Sequence, residues 1–156
     1  MSNADLLRVA NARLPWIRIG GYAFVALAVL KSITLAIGLE QSKLSGPLIG
    51  LEIGTVVVAA IVAYGILGRG DARWLIVGLA VYAFNIAAWT AVDSRTLING
   101  FFLKVGVLAA GGYALWQWLG LRQNTSHLHA AGFSESETNS LLRLQPMREL
   151  HEASSE

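Results

Sequence analysis

Residues 25–40 read VALAVLKSITLAIGLE, an apolar run broken by one basic residue, Lys31. A charge held in hydrocarbon costs about 2.5–3.5 kcal/mol on insertion scales, so such a lysine faces partners, lines water or snorkels to an interface. The run begins at Trp16, which makes it longer than the ~20 residues that cross ~30 Å of hydrocarbon. It is also longer than the h-region of a cleavable signal. With Arg8, Arg13 and Arg18 ahead of its core and no clear A-x-A site, it reads as a retained first helix over 16–39. The preceding DLLRVANARL reads as a short amphipathic turn or a frayed leader, ended by Pro15.

Three further apolar runs follow, at 47–67, 74–92 and 97–121. Of the 156 residues, 54% are hydrophobic and 14% charged; soluble domains carry about a quarter charged. The segments EQSKLSG, GRGDAR and DSRTLING between the runs are short enough to make sequence neighbours antiparallel spatial neighbours. The expected fold is therefore all-α: an integral membrane protein with four transmembrane helices in an antiparallel up-down-up-down bundle. An N-terminal segment, 1–15, precedes the bundle of 16–121, and a polar, mildly acidic tail, 122–156, follows it.

Orientation follows from the short loops. Arg8, Arg13, Arg18, Arg69, Arg73 and Arg122 fall on one side, and Lys43 and Arg95 on the other. Trp16, Trp74, Trp116 and Trp118 fall at the arginine end, where indoles favour the headgroup level, and Trp89 lies nearer the far side. Both termini are thus expected in the cytoplasm, with the bundle in a bacterial inner membrane and the lipid bilayer as its first partner.

At ~1.5 Å per residue, sequence position becomes depth. Lys31 lies roughly 13 Å before Glu40, Glu52 roughly 8 Å beyond Pro47, Asn85 roughly 12 Å before Asp93, and Lys104 roughly 8 Å beyond Asn99. Every helix thus contributes one member to an outer-leaflet polar layer. Heptad spacing puts Gly20, Phe24, Leu27, Lys31, Thr34 and Gly38 on one seam of the first helix, and Leu48, Glu52, Thr55, Ala59 and Val62 on one seam of the second. Lys31 with Glu52 is the expected pair. Lys104 has Asp93 or Glu52 in reach, and Asn85 bridges. Three readings stay open: a structural clasp, an ion, proton or solute site, and lysines that snorkel.

The second helix opens GPLIGLEIG, two overlapping G-x-x-x-G units at Gly46, Gly50 and Gly54. Gly65 and Gly68 return to nearly the same side at 100° per residue, opposite Glu52. In the third helix Ala83, Ala87 and Ala91 lie opposite Asn85. A small-residue stripe facing away from the polar seam meets another chain, unless the glycines pack inside the monomer.

Other functions leave no trace. There is no cysteine, hence no disulfide or thiolate metal site, and no basic run with a nucleic-acid footprint. His127, His129 and His151 lie outside the runs, which excludes a haem held by paired transmembrane histidines of one chain. No H-E-x-x-H, G-x-S-x-G or phosphate loop occurs, and no enzyme activity, cofactor or metal is expected. In the tail, Ser134 and Glu137 have capping-box spacing ahead of LLRL, so an amphipathic helix to about Leu144 is expected, with MRELHEA as a second segment. Its leucines suit a membrane surface or a partner, or the tail stays disordered. The combined expectation is a non-enzymatic accessory or scaffolding subunit that packs with itself or a larger membrane complex. The alternative is a small channel or transporter using the polar layer.

Overall fold

The computed structural model describes residues 3–40, 46–98 and 100–146. These are all-α, in five helices: α1 (Asn3–Glu40), α2 (Gly46–Leu67), α3 (Trp74–Val92), α4 (Phe101–Ala130) and α5 (Glu135–Leu142), with a 3-10 turn at Ser94–Leu97. By length and composition α1, α2 and α3 are each apolar enough to cross a membrane. Their outer faces agree, because Val29, Ile33, Ile53, Val57, Ile61 and Phe84 are all exposed. So much uncovered hydrocarbon suits a lipid solvent rather than water.

Two boundaries differ from expectation. The first helix does not begin at 16; α1 runs unbroken from Asn3 through Pro15. Proline removes one backbone hydrogen bond and crowds the turn before it. Here it lies on the exposed side, while Leu7, Ala10, Leu14 and Ile17 continue one buried stripe past it. Side-chain packing on that stripe outweighs the local defect. The last long helix, expected at 97–121, starts only at Phe101 after Gly100 turns with φ of 69°, and it continues to Ala130.

Helices of 38 and 30 residues are about 57 and 45 Å long at 1.5 Å per residue, more than a bilayer core needs. Being antiparallel, they overhang at the same end. There Leu7 and Leu14 of α1, Leu121 and Leu128 of α4, and Leu141 and Leu144 of the tail are buried together. The described part of the tail therefore docks on its own chain. Full burial of a leucine contributes about 1.5–3 kcal/mol relative to water, so hydrophobic burial alone can hold this cap. Glu137's side chain, the MRELHEA segment with His151, the loop residues 41–45 with Lys43, and Asn99 lie outside the described residues.

Within the bundle the same argument fails, since lipid is as apolar as leucine and close packing must do the work. α1 packs on both α2 and α4, and α3 packs mainly on α2. A Cβ on Gly20 would lie 2.6 Å from Ala114 Cβ, and one on Gly78 would lie 2.5 Å from Phe24 Cζ. These glycines let the helices approach. The α3–α4 contact is shorter, and toward the α3–α4 turn it opens into a cavity.

Candidate functional site

The polar seams meet where Lys31 enters the bundle. Its Nζ lies 2.8 Å from Glu52 Oε1 and donates to Asn85 Oδ1 at 3.3 Å. Asn85 Nδ2 donates to Thr55 Oγ1 at 2.8 Å, and Thr55 Oγ1 donates to the Leu51 carbonyl at 2.8 Å. Trp89 Nε1 donates to the same Glu52 Oε1. Glu52, Thr55 and Asn85 are each at least 95% buried, and the lysine side chain is 18% exposed. A chain of donors and acceptors from α1, α2 and α3 thus surrounds the part-buried ammonium group and gives it two acceptors.

Each member stands where its helix periodicity puts it. Phe24, Leu27 and Lys31 follow at 3/4 spacing on α1, as do Glu52, Thr55 and Ala59 on α2. On α3, Leu75, Gly78, Tyr82, Asn85 and Trp89 do the same. Tyr82 and Trp89 were absent from the sequence-based layer. Their signal was present, because they lie three before and four after Asn85 and so share its face.

Beside this network lies a cavity of about 480 Å³ bounded by α1, α3 and α4, with Glu52 in its wall. Lys31, Asn85, Tyr82, Trp89 and Lys104 supply the polar lining, and Leu30, Leu35, Ile86 and Leu103 the apolar part. Glu52 Oε2 is buried and has no hydrogen-bond partner among the described residues. An unmet buried acceptor costs about 1–3 kcal/mol, more when charged, and a donor placed in the cavity would remove that cost. Lys104 therefore shares the cavity with Lys31. Asp93 does not line it: it is exposed at the end of α3, where its Oδ1 accepts from Arg95 N at 2.9 Å and caps the 3-10 turn.

The small-residue stripe divides. At Gly46, Gly50 and Gly54, all exposed, an added Cβ would meet nothing within 4 Å. Ala83, Ala87 and Ala91 are exposed as well. Gly65 instead is buried beneath Trp74, whose indole a Cβ there would strike, and Gly68, just past α2, abuts Tyr64. Phase along a helix told which side a glycine faces but not where the hinge would fold Trp74 back across it. His127 and His129 lie exposed in the last turn of α4. No protein-family model, curated protein or solved structure matches this chain, so the chemistry of the cavity has to speak for it.

Proposed function

We propose that the chain is a four-span membrane protein, both ends cytoplasmic, that binds a small amphiphile between α1, α3 and α4. The observation that carries this is the orphaned Glu52 Oε2 beside a cavity of about 480 Å³. Such a volume falls in the usual range of small-ligand pockets. The matching ligand brings one hydrogen-bond donor for the carboxylate, an acceptor for the Lys31 ammonium group, and an apolar body for the leucines. Its entry and exit would make the protein a solute carrier or sensor in the outer half of the membrane. α4 serves as the fourth span in this reading, its length ample and Lys104 drawn toward the cavity rather than lipid.

Native mass spectrometry of the gently solubilised protein tests it. A bound small molecule is expected on the wild type and is expected to be lost from Leu103→Trp, which fills the cavity without touching the Lys31 network. Bare polypeptide in both would sink the reading. Orientation has its own test. A cysteine at Ser94, in this cysteine-free chain, is expected to react with an impermeant thiol reagent from outside cells, and one at Ser126 only after the membrane is opened. Labelling of Ser126 in sealed cells would invert the topology.

A second reading, an accessory subunit packing against itself or a larger complex, is favoured by the bare face of Gly46, Gly50 and Gly54. The two are compatible, since the bare face of α2 lies opposite Glu52.

A further inference from the structure

At the end of the bundle away from Lys31, the α2–α3 hinge, α4, α5 and the residue after it border a second, open cavity of about 500 Å³. We infer that it binds a phosphate group. Four arginines line it, Arg69 and Arg73 from the hinge, Arg122 from α4 and Arg143 from the tail, against one carboxylate, Asp71. Asp71 Oδ1 is occupied by the backbone N–H of Arg73 at 3.0 Å. Among the described residues none of the four guanidinium groups hydrogen-bonds or ion-pairs. The contrast lies close by: Arg13 donates to Gln117 Oε1 at 3.3 Å and Arg18 to the Leu144 carbonyl at 3.0 Å. All four arginines are exposed to solvent at the rim of this cavity, and among the described residues Asp71 is its one carboxylate, so four positive charges face one negative charge there.

The gathering is built by the backbone. Gly70 has φ of 69°, and a Cβ there would collide with the Arg143 carbonyl oxygen, so only glycine admits the tail this close to the hinge. α5 ends in a Schellman turn, with Gln145 N donating to Ser140 O at 3.0 Å and Leu144 N to Leu141 O at 2.9 Å. Its left-handed position is taken by Leu144, φ 57°, where glycine is usual. Burial of that leucine and the bond from Arg18 offset the strain. The Arg143 backbone is thereby held against the hinge.

Trp74 and Trp118 complete the wall, at the headgroup level where indoles concentrate. Guanidinium forks match phosphate oxygens two by two, and several forks around one cavity suit a tetrahedral anion with acceptors on every side. The phosphate has two sources, an anionic lipid headgroup or soluble phosphate.

The test uses the full chain in phosphatidylcholine nanodiscs. In one arm a small fraction of phosphatidylglycerol is added and retained lipid is read by native mass spectrometry. In the other, inorganic phosphate is titrated into discs without phosphatidylglycerol and the thermal midpoint is followed. Retention of phosphatidylglycerol is expected, weakened roughly fivefold by Arg122→Gln or Arg143→Gln and roughly twentyfold by both. Arg122→Lys, which keeps the charge but loses the fork, is expected to recover only part. Arg8→Gln removes the same charge outside the cavity and is expected to change nothing. Saturable stabilisation by inorganic phosphate, with the same variant dependence, would assign the soluble source and support the site equally. Absence of a saturable effect in both arms, or an Arg8→Gln effect as large as that of Arg122→Gln, would overturn the inference. Either result leaves the Lys31 cavity untouched.

Discussion

Lys31→Met is expected to destabilise the bundle by about 3–5 kcal/mol, the usual consequence of stranding one member of a buried ion pair. It leaves the Glu52 carboxylate buried with Trp89 Nε1 as its one remaining donor, and strips Asn85 Oδ1 of the ammonium group. The geometry also says which second change rescues it. An apolar partner at 52 would remove the stranded charge but leave Trp89 Nε1 without an acceptor. Glutamine keeps an oxygen for Trp89 and adds an N–H that can serve Asn85. Lys31→Met with Glu52→Gln is therefore expected to recover most of the lost thermal midpoint, and Lys31→Met with Glu52→Leu less, by about 1 kcal/mol, the low end for an unmet donor, since Trp89 is only part-buried. Ligand retention in the recovered double variant then separates two roles. A folded protein that no longer holds the small molecule marks the pair as part of the site, and one that holds it marks the pair as a clasp. Equal stability of wild type, single and double variants would mean that the 2.8 Å contact does not hold the helices together.

The first three apolar runs announced themselves because each comes close to the simplest demand of a bilayer, about 20 apolar residues in a row. The Lys31–Glu52 contact was legible for a related reason: a buried charge needs a partner, and a short loop leaves few candidates at the same depth. What was not legible came from competition between local and tertiary terms. Pro15 read as a stop because local backbone chemistry says so. The stripe of Leu7, Ala10, Leu14 and Ile17 already ran through it in phase, and packing on α4 prevailed. The end of α4 at Ala130, rather than near Leu121, depends on α1 overhanging beside it, which no window of sequence around 122–130 contains. The tail leucines looked equally suited to lipid, a partner or disorder; the deciding surface, the overhang of α1 and α4, exists only once both helices are known. The cavity was invisible for a deeper reason, since a void is the difference between packed helices and has no residue of its own.

Glycines offer the sharpest contrast between pattern and packing. By motif, Gly50 and Gly54 are the important ones, yet a side chain at either would meet nothing within 4 Å of its Cβ. Gly78 belongs to no motif, yet a Cβ there would lie 2.5 Å from Phe24 Cζ and 2.9 Å from Val62 Cγ1. Both neighbours are at least 99% buried and have nowhere to move. Gly78→Leu is therefore expected to cost at least the ~1–3 kcal/mol of an overpacked core, and to prise α3 from α1 and α2. Gly50→Leu and Gly54→Leu are expected to leave the monomer within about 0.5 kcal/mol of wild type. Their effect should appear only in assembly, where a thickened face keeps a second helix from approaching. Thermal midpoints and native mass measured on the same samples decide it. If Gly78→Leu melts like wild type, the close approach of α1, α2 and α3 is not what holds the bundle. If Gly50→Leu and Gly54→Leu retain every partner the wild type has, the bare face of α2 meets lipid and the accessory-subunit reading fails. A loss of partners at unchanged monomer stability would locate the interface on that face, with the ligand cavity opening on the opposite side of the same helix.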